Sequence, residues 1–547
     1  MTYLLKHDHH GPNMSNTAYI DTFVIDNLPP PEEWPELIFE TPELQFPSQL
    51  NATTELLDKA IEEGHGNRPA MIGAQGSWTY AQLQQQVNQL ARVLVEELGL
   101  VPGNRVLLRG GNTPMLAACW LAVFKAGGVA VGTMPLLRAK ELKDIIEKAK
   151  VTHALCDAAL ADELEKARSE RPQLTQVLYY GQGGTLEALA ASKPNTFDVV
   201  PTRATDPALI GFTSGTTGVP KGTVHFHRDV MAMCEVFPRH CLKPEPSDVF
   251  IGTPPLAFTF GLGGLLCFPL WARASTVLLE RLTPDLLLQA ISQYHATVCF
   301  TSPTGYRQMS PLVGDHPIPS LKKAVSAGEP LPEDTRRKWR DATGIEIHDG
   351  IGGTEMIHIY IASGPDDYRP GALGRLLPGY RGMIVDKDMT PLPPGEVGML
   401  AVKGPTGCRY LADERQRNYV RQGWNLPGDA FRMDEDGYFY YVARVDDIIV
   451  TSGYNVSAPE VEWALLAHPA VAECGVVGIP DEQRGQIVQA FVVLKPDYQP
   501  SDALATELQN FVKQTVAPYK YPRRIRFVET LPRTESGKLQ RHKLRDL

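Results

Sequence analysis

The stretch TSGTTGVPKG, residues 213–222, follows the strand-like run ALIGF and gathers four hydroxyl residues and three glycines around Lys221. Glycines let backbone N–H groups approach a ligand, hydroxyls donate hydrogen bonds and the lysine ammonium adds positive charge. The spacing differs from a Walker P-loop because Lys221 stands between Pro220 and Gly222. The stretch therefore predicts a phosphate-binding loop of another kind, formed by Thr213, Ser214, Gly215, Thr216, Thr217, Gly218 and Lys221.

Strand-like runs alternate with amphipathic helices on both sides of this loop, from about residue 70 to 350. RVLLRG (105–110) predicts a strand and residues 115–126 predict a helix, a pattern typical of parallel sheets covered by helices. After about residue 370, closely spaced strands indicate a small barrel-like sheet, and a separate α+β unit follows. The fold class is α/β: a large N-terminal region of two parallel-type αβ subdomains plus a small β-barrel-like subdomain, then a small mobile α+β C-terminal domain.

Bulk composition excludes several classes of protein. The chain has 547 residues, too many for one core, and a net charge of −10, which offers no basic field for nucleic acid or anionic lipid. Its eight cysteines are scattered with no CxxC pair, which argues against a zinc or disulfide framework and favours the cytoplasm.

Two segments need a separate interpretation. Residues 249–272 carry no charge, but their prolines and glycines interrupt a helix, so we expect a buried pocket wall rather than a membrane span. Residues 1–20 lack a long apolar run and predict a disordered lead-in that is not a secretion signal. Met1 and Met14 are both candidate translation starts.

Further motifs follow the loop in a fixed order. They are DGIGGTEM (349–356), LPGDAFRMDEDGYFYYVARVDD (426–447) and PRTESGKLQR (532–541). Together with TSGTTGVPKG, this series resembles the adenylate-forming superfamily of acyl- and aryl-CoA synthetases, firefly-type luciferases and peptide-synthetase adenylation domains. The resemblance implies an N-terminal AMP-binding domain over residues 21–443, a hinge over 444–448 and a mobile C-terminal domain over 449–547.

The resemblance also implies a role for each motif residue. Lys538 is the expected catalytic lysine, with Thr354 and Glu355 beside the triphosphate of ATP. Glu355 and Thr217 are the expected Mg²⁺ ligands, since Mg²⁺ prefers hard oxygen donors. Asp429 and Arg444 are expected at the ribose. The remaining implied positions are Asp349 and Gly350 at the nucleotide, Gly453 at the coenzyme A thiol tunnel and Asp446 at the hinge.

Three residues depart from the family pattern. Ile351 stands where an aromatic residue usually stacks on adenine, Pro427 replaces the hydroxyl residue of T-G-D, and Ala443 replaces the glycine before Arg444. None of these changes removes a charged group.

The expected acid pocket draws on PPLAFTFGLGG and DGIGGTEMIHIY, which are similar to the benzoate-CoA ligase branch. The start IDTFVIDNLPPPEEWPELIF is also similar to that of 2-aminobenzoate-CoA ligases. Phe258, Phe260 and His358 would form a flat aromatic slot, or could be ordinary core residues. Thr259 could bind an ortho substituent. The other expected lining residues are Ala327, Gly328 and Ile351.

The sequence thus predicts an ATP-dependent aryl-acid–CoA ligase acting on 2-aminobenzoate, with benzoate or another small aryl or acyl acid as the alternative. ATP, Mg²⁺ and coenzyme A are the expected cosubstrates and cofactor, and monomer and homodimer both stay open. Two more distant alternatives are a luciferase-like oxygenase and a stand-alone adenylation enzyme that loads a carrier protein. A P-loop kinase or nucleotide sensor is disfavoured because the Walker pattern fails.

Overall fold

The chain folds into two units. The computed structural model describes residues 17–213, 220–451, 454–481, 484–533 and 539–547, without the side chains of Asp446, Val450, Tyr454 and Asn455. One unit comprises Met1–Arg381 and Val402–Asn425, and the other comprises Gly382–Ala401 and Leu426–Leu547. The outer limits 21–443 and 449–547, and the hinge between them, stay predictions.

The first unit contains two large sheets of mostly parallel strands. Its strands are β1 (Pro69–Gly73), β2 (Gly76–Thr79), β3 (Arg105–Arg109), β4 (Val129–Thr133), β5 (His153–Asp157), β6 (Gln176–Tyr180), β7 (Pro207–Thr213), β8 (Lys221–Phe226), β9 (Val249–Gly252), β10 (Ser275–Val277), β11 (Val298–Thr301), β12 (Lys323–Ser326), β13 (Ile347–Gly352), β14 (Ile359–Ser363) and β15 (Arg375–Leu376). Two short strands, β18 (Val420–Arg421) and β19 (Trp424–Asn425), pair as a hairpin in the same unit.

In both sheets, most neighbouring strands are parallel and the antiparallel pairs lie at the edges. One sheet runs β6-β5-β3-β4-β7-β8, parallel except for the antiparallel edge pair β7–β8. The other runs β15-β14-β13-β12-β11-β9-β10-β1-β2, with parallel strands from β13 to β1 and antiparallel strands at both ends. Parallel strands of this kind need helical crossovers that cover both faces, and their near-continuous apolar burial follows from that cover.

Helices of the first unit supply those crossovers. They are α1 (Phe23–Asp26), α2 (Lys59–Glu62), α3 (Tyr80–Arg92), α4 (Pro114–Lys125), α5 (Ala139–Ala149), α6 (Ala161–Ser169), α7 (Leu186–Ala191), α8 (His227–Phe237), α9 (Thr259–Gly261), α10 (Phe268–Trp271), α11 (Pro284–Gln293), α12 (Pro303–Met309), α13 (Glu333–Thr343) and α14 (Gln416–Tyr419).

Local sequence explains where the predicted helix at residues 115–126 begins. In α4 the Thr113 side chain accepts a hydrogen bond from the Leu116 N–H, and Pro114 occupies the first turn, where its missing N–H costs nothing. Residues from Leu116 to Lys125 are buried between α3 and the strands β3 and β4.

The second unit is smaller and mostly antiparallel. Its strands are β16 (Arg381–Val385), β17 (Val397–Lys403), β20 (Asp429–Met433), β21 (Phe439–Arg444), β22 (Ile448–Thr451), β23 (Tyr454–Ser457), β24 (Val471–Asp481), β25 (Gly485–Leu494) and β26 (Arg524–Phe527), although the first residue of β16 and the last two of β17 belong to the first unit. Its helices are α15 (Ala458–Leu466), α16 (Asp502–Thr515) and α17 (Arg541–Arg545). α15 and α16 pack on β24 and β25 over a core that includes Val461, Val476 and Leu508.

The predicted α/β fold class is confirmed by these parallel-containing sheets and by the small α+β unit that follows them. The segment 249–272 is buried, as predicted, but its glycines do not interrupt the helix. α9, a π-helical stretch Leu262–Cys267 and α10 are continuous, and rings pack against the glycine backbone there. Among the described residues, no helix has both the length and the apolar character needed to cross a membrane.

Candidate active site

The predicted phosphate loop joins two strands at a sheet edge. Thr213 ends β7 and pairs in register with Lys221, which begins β8, the outermost strand. The Thr213 Oγ1 is buried and has no hydrogen-bond partner among the described residues. A buried hydroxyl left in this way fits a site that receives an oxygen-rich ligand. The loop positions Ser214, Gly215, Thr216, Thr217 and Gly218 lie outside the described residues.

Lys221 and Glu355 both contact the hydroxyl of Tyr410. The Lys221 Nζ lies 2.7 Å from the Tyr410 hydroxyl and 3.5 Å from the Glu355 Oε1. The same hydroxyl donates to the Glu355 Oε1 at 2.6 Å. Burial and the neighbouring Glu355 carboxylate raise the pKa of Tyr410 well above its ordinary value, so the phenol keeps its proton. The structure thus joins two predicted residues through Tyr410, which the sequence did not indicate.

Thr354, the neighbour of Glu355, is held by a buried polar chain. The His225 Nε2 lies 2.6 Å from the Thr354 carbonyl oxygen, and the His225 Nδ1 lies 3.6 Å from the Asp229 carboxylate. Asp229 accepts hydrogen bonds from the Phe226 N–H and from Arg409. Burial alone would raise the pKa of Asp229, but Arg409 and His225 lower it below its usual value.

Asp349 lies in the middle of β13 and is buried. Its Oδ2 lies 3.4 Å from Arg336, and its Oδ1 accepts from the Gly350 N–H at 3.0 Å. Arg336 also bonds Glu346 at 2.6 Å, so its charge is shared. Burial dominates over both contacts and raises the pKa of Asp349 to about 7.

The predicted pocket histidine lies in an aromatic cluster. The His358 ring lies 5.9 Å from Phe260, 4.5 Å from Phe268 and 5.8 Å from Phe237, centroid to centroid. Neither His358 nitrogen makes a hydrogen bond of normal geometry with the described residues. Burial lowers the pKa of His358 to about 3, against a smaller effect of the Phe260 backbone, so the ring is neutral.

Two of the predicted residues, Thr354 and Thr259, lie next to Gly211 of β7. A Cβ placed on Gly211 would lie 2.6 Å from the Thr354 Cγ2 and 4.0 Å from the Thr259 Cγ2, so both methyl groups border β7. Phe258 is half-buried at the N-terminus of α9. Among the described residues, the rings that contact His358 include Phe260 but not Phe258.

The remaining predicted pocket residues share one sheet edge. β12 and β13 are parallel neighbours, with Ser326 opposite Asp349. Ala327 and Gly328 follow β12, and Ile351 lies two positions beyond Asp349, so all three lie at the carboxyl ends of these strands. This edge is where ligands bind in open parallel sheets.

The predicted ribose residues belong to the second unit. Asp429 begins β20 and Arg444 ends β21, and the two pair in register. The Arg444 NH1 donates to the Asp429 Oδ1 at 3.1 Å and to the Pro427 carbonyl at 2.7 Å. Pro427, one of the departures from the family pattern, therefore contributes through its backbone. Lys538 and Gly453 lie outside the described residues, as does the side chain of Asp446.

Four supporting residues were missed at the sequence level: Tyr410, His225, Asp229 and Arg409. His225 and Asp229 offer a weak signal, because two polar residues four apart flank the end of an apolar strand. Tyr410 and Arg409 lie nearly 190 residues from Lys221, and nothing in their local sequence points to the site.

Comparison with known proteins places these features in a family. Residues 57–410 match the family described as AMP-binding enzyme, and residues 460–538 match the AMP-binding enzyme C-terminal domain. A benzoate–CoA ligase of Thauera aromatica is 35% identical over 512 residues, covering 92% of this chain and 97% of that protein.

Two solved structures are also similar. The anthranilate CoA ligase AuaEII in complex with anthranoyl-AMP has a TM-score of 0.87 and 32% identity, covering 92% of this chain and 98% of that one. A benzoate CoA ligase from Burkholderia xenovorans LB400 has a TM-score of 0.82 and 32% identity, covering 90% and 99%.

Proposed function

Because the chain belongs to the AMP-binding enzyme family and is an AMP-forming acid–thiol ligase of the aryl-CoA branch, we propose that its acid is 2-aminobenzoate, with benzoate as the second candidate. The observation that carries this proposal is the aromatic cluster around His358. A benzene ring suits a slot walled by Phe260 and His358. A neutral histidine whose nitrogens make no hydrogen bond of normal geometry with the described residues can bond one ortho substituent.

The reaction has two steps. In the first, a carboxylate oxygen attacks the α-phosphorus of ATP, the bond from that phosphorus to the β-phosphate oxygen breaks, and pyrophosphate leaves. In the second, the thiolate of coenzyme A attacks the acyl carbon, the acyl–phosphate bond breaks, and AMP leaves. Proximity and charge stabilisation are what the protein contributes.

We assign the polyphosphate to the 213–222 loop with Lys221, the nucleotide to Asp349 and Gly350, and the ribose hydroxyls to Asp429 and Arg444. Lys538 would stabilise negative charge at the reacting carboxylate and α-phosphate in the first step. Gly453 would line the thiol tunnel in the second, after a rotation about Asp446.

Mg²⁺ fits this site through Glu355. The described residues hold no group of three or more His, Cys, Asp or Glu side chains able to bind a metal alone. Mg²⁺ is commonly held by one or two carboxylates together with substrate phosphates, and Glu355 lies beside the proposed phosphate ligand Lys221. We propose Glu355 and Thr217 as its ligands. Bound Mg²⁺ would offset the negative charge of the phosphates.

The eight cysteines are all free thiols, and seven of them are buried. Free thiols persist in reducing compartments, which supports placing the reaction in the cytoplasm.

A substrate panel tests the proposal. Pyrophosphate release is measured with 2-aminobenzoate, benzoate, salicylate, 4-hydroxybenzoate and medium-chain fatty acids, and the CoA thioester is identified by mass. We expect 2-aminobenzoate to have the highest kcat/KM. A fatty acid that exceeds every aromatic acid tenfold would overturn the aromatic assignment. Transfer to a carrier protein but not to coenzyme A would overturn the CoA step.

A variant tests the proposed role of His358. His358→Phe keeps a ring in the slot and removes both nitrogens, so the ratio of kcat/KM for 2-aminobenzoate to that for benzoate should fall about tenfold. His348→Phe is the matched control, because His348 is a buried histidine of β13 that packs beside Gly364. An unchanged ratio in His358→Phe would remove His358 from substrate recognition.

A further inference from the structure

Tyr410 lies between the two predicted charged residues of the ATP site. It is 1% exposed, its hydroxyl donates to the Glu355 Oε1 at 2.6 Å, and it accepts from the Lys221 Nζ at 2.7 Å. The lysine also lies 4.7 Å from the centre of the phenol ring. A phenol has one proton to donate and lone pairs to accept, so both bonds can exist together.

The backbone around Tyr410 is fixed against β8, the strand that begins with Lys221. Tyr410 pairs antiparallel with Thr223, the Val224 N–H donates to the Arg409 carbonyl at 2.8 Å, and the Leu411 N–H donates to the Gly222 carbonyl at 2.8 Å. The segment 409–411 thus acts as a short additional strand beside β8. Its position and that of Lys221 are set by the same hydrogen bonds.

A buried glutamine fixes the segment from its other side. The Gln416 Oε1 accepts from the Tyr410 N–H at 2.9 Å, and the Gln416 Nε2 donates to the Cys408 carbonyl at 3.0 Å. The Tyr419 ring packs edge-on at 5.8 Å from the Tyr410 ring. The backbone of Tyr410 is therefore held on this side, and its hydroxyl contacts Lys221 and Glu355.

We propose that Tyr410 is a positioning residue for Mg·ATP, whose hydroxyl holds the Glu355 carboxylate and the Lys221 ammonium in one arrangement. This inference rests on the proposed assignment of Lys221 to phosphate and Glu355 to Mg²⁺. With the phenol between them, the two charges lie 3.5 Å apart. Lys221 keeps donors for phosphate, and Glu355 keeps a carboxylate oxygen for a cation. Without the hydroxyl, the two side chains could approach more closely than 3.5 Å, and they would have to be separated before Mg·ATP binds.

The test is calorimetric binding of ATP to the full chain, with no acid and no coenzyme A present. Tyr410→Phe removes one oxygen and keeps the ring. We expect the Kd of Mg·ATP to rise about tenfold, as for the loss of a hydrogen bond to a charged group. The Kd of ATP in EDTA should rise less. The ratio of the Kd in EDTA to the Kd of Mg·ATP should therefore fall about threefold or more. A general loss of folding would change both values together.

Tyr306→Phe is the matched control. Tyr306 is equally buried, and its hydroxyl donates to the Cys299 and Val325 carbonyls at 2.9 and 3.1 Å, away from Lys221. It should lower the melting temperature at least as much as Tyr410→Phe and leave both Kd values within twofold of the wild type.

Three outcomes would overturn the inference: a Tyr410→Phe Kd within twofold of the wild type, an unchanged ratio of the two Kd values, or an equal effect in Tyr306→Phe. Glu355→Gln separates this failure from that of the assignment beneath it. If Glu355→Gln weakens Mg·ATP and Tyr410→Phe does not, only the role of Tyr410 is wrong. If Glu355→Gln binds normally, both are wrong. The identity of the acid affects none of these measurements.

Discussion

Gly263→Ala tests the acid pocket through its backbone wall. Gly263 lies in the π-helical stretch Leu262–Cys267 between α9 and α10. A Cβ at this position would lie 2.5 Å from the His358 Cδ2, 2.7 Å from its Nε2 and 2.9 Å from the Phe268 Cζ. The added methyl group therefore meets the proposed substrate histidine directly.

The size of the effect follows from that overlap. Carbon atoms pack best at roughly 3.5–4.0 Å, so the His358 ring would have to move by about 1 Å. The ring is already enclosed by Phe268 at 4.5 Å and by Phe237, so it cannot turn aside within the core. Overpacking of this kind costs about 1–3 kcal/mol. The helix gains up to about 1 kcal/mol when alanine replaces glycine, which offsets part of that cost.

A ring displaced toward the slot takes space from the acid. We expect the KM for benzoate to rise by about 10- to 100-fold, since a methylene-sized change of fit in an apolar pocket is worth about 1–3 kcal/mol of substrate binding. The KM for ATP should change less than twofold. The assay is pyrophosphate release at saturating ATP with the acid varied, accompanied by a thermal melt.

The control is Gly314→Ala, where an added Cβ meets no heavy atom within 4 Å. It should leave both KM values at the wild-type level. If Gly263→Ala also kept the wild-type KM for benzoate and melted at or above the wild-type temperature, the pocket would not lie beside His358.

Three other predictions test charge. Asp229→Ala leaves the buried Arg409 without its carboxylate and should destabilise the first unit by about 3–5 kcal/mol in urea denaturation; a loss under about 1 kcal/mol would contradict the buried pair. Asp349 has a folded-state pKa of about 7 against an ordinary 3.8, so its contribution to stability is present in acid and is lost as pH rises from about 4 to 7. Asp349→Asn should remove that loss, and parallel melting-temperature profiles for the two proteins between pH 5 and 8 would contradict it. Lys538→Ala should nearly abolish pyrophosphate release while sparing thioester formation from supplied aroyl-AMP, and equal loss of both steps would argue against two conformations.

The fold was predictable where local sequence carries the signal. Alternating strands and helices indicated parallel sheets, and α4 begins within one residue of the prediction because Thr113 and Pro114 mark its start. The helical path through residues 259–271 was not predicted. Glycine has a low helix propensity. Here, however, the rings of His358 and Phe300 occupy the space that a side chain would need. That packing joins residues about 40 to 100 positions apart and leaves no periodic trace in the sequence.

The site shows the same division. The glycines, hydroxyls and lysine within residues 213–222 predict a phosphate-binding loop from ten positions alone. The order of the later motifs then indicates the family. Tyr410 and Arg409 have no such local signal, and His225 and Asp229 have only a weak one, because each acts through a neighbour that the fold brings near. The residue type of Tyr410 shows that it can donate and accept hydrogen bonds. Which groups it contacts depends on the register of β8 with the segment 409–411.

The charges around Tyr410 also bear on which form of ATP the site would favour. Lys221 and Glu355 lie 3.5 Å apart and offset each other, so their cluster carries almost no net charge. An incoming polyphosphate gains attraction from Lys221 but meets repulsion from Glu355 at nearly the same distance. Unit charges within a few ångströms interact by several kcal/mol at the dielectric of a protein surface, so the repulsion from Glu355 removes much of the attraction to Lys221. A phosphate that arrives with a divalent cation satisfies both residues together. With the proposed roles of Lys221 and Glu355, the affinity for ATP without a cation should therefore be weaker than the affinity for ATP with Mg²⁺.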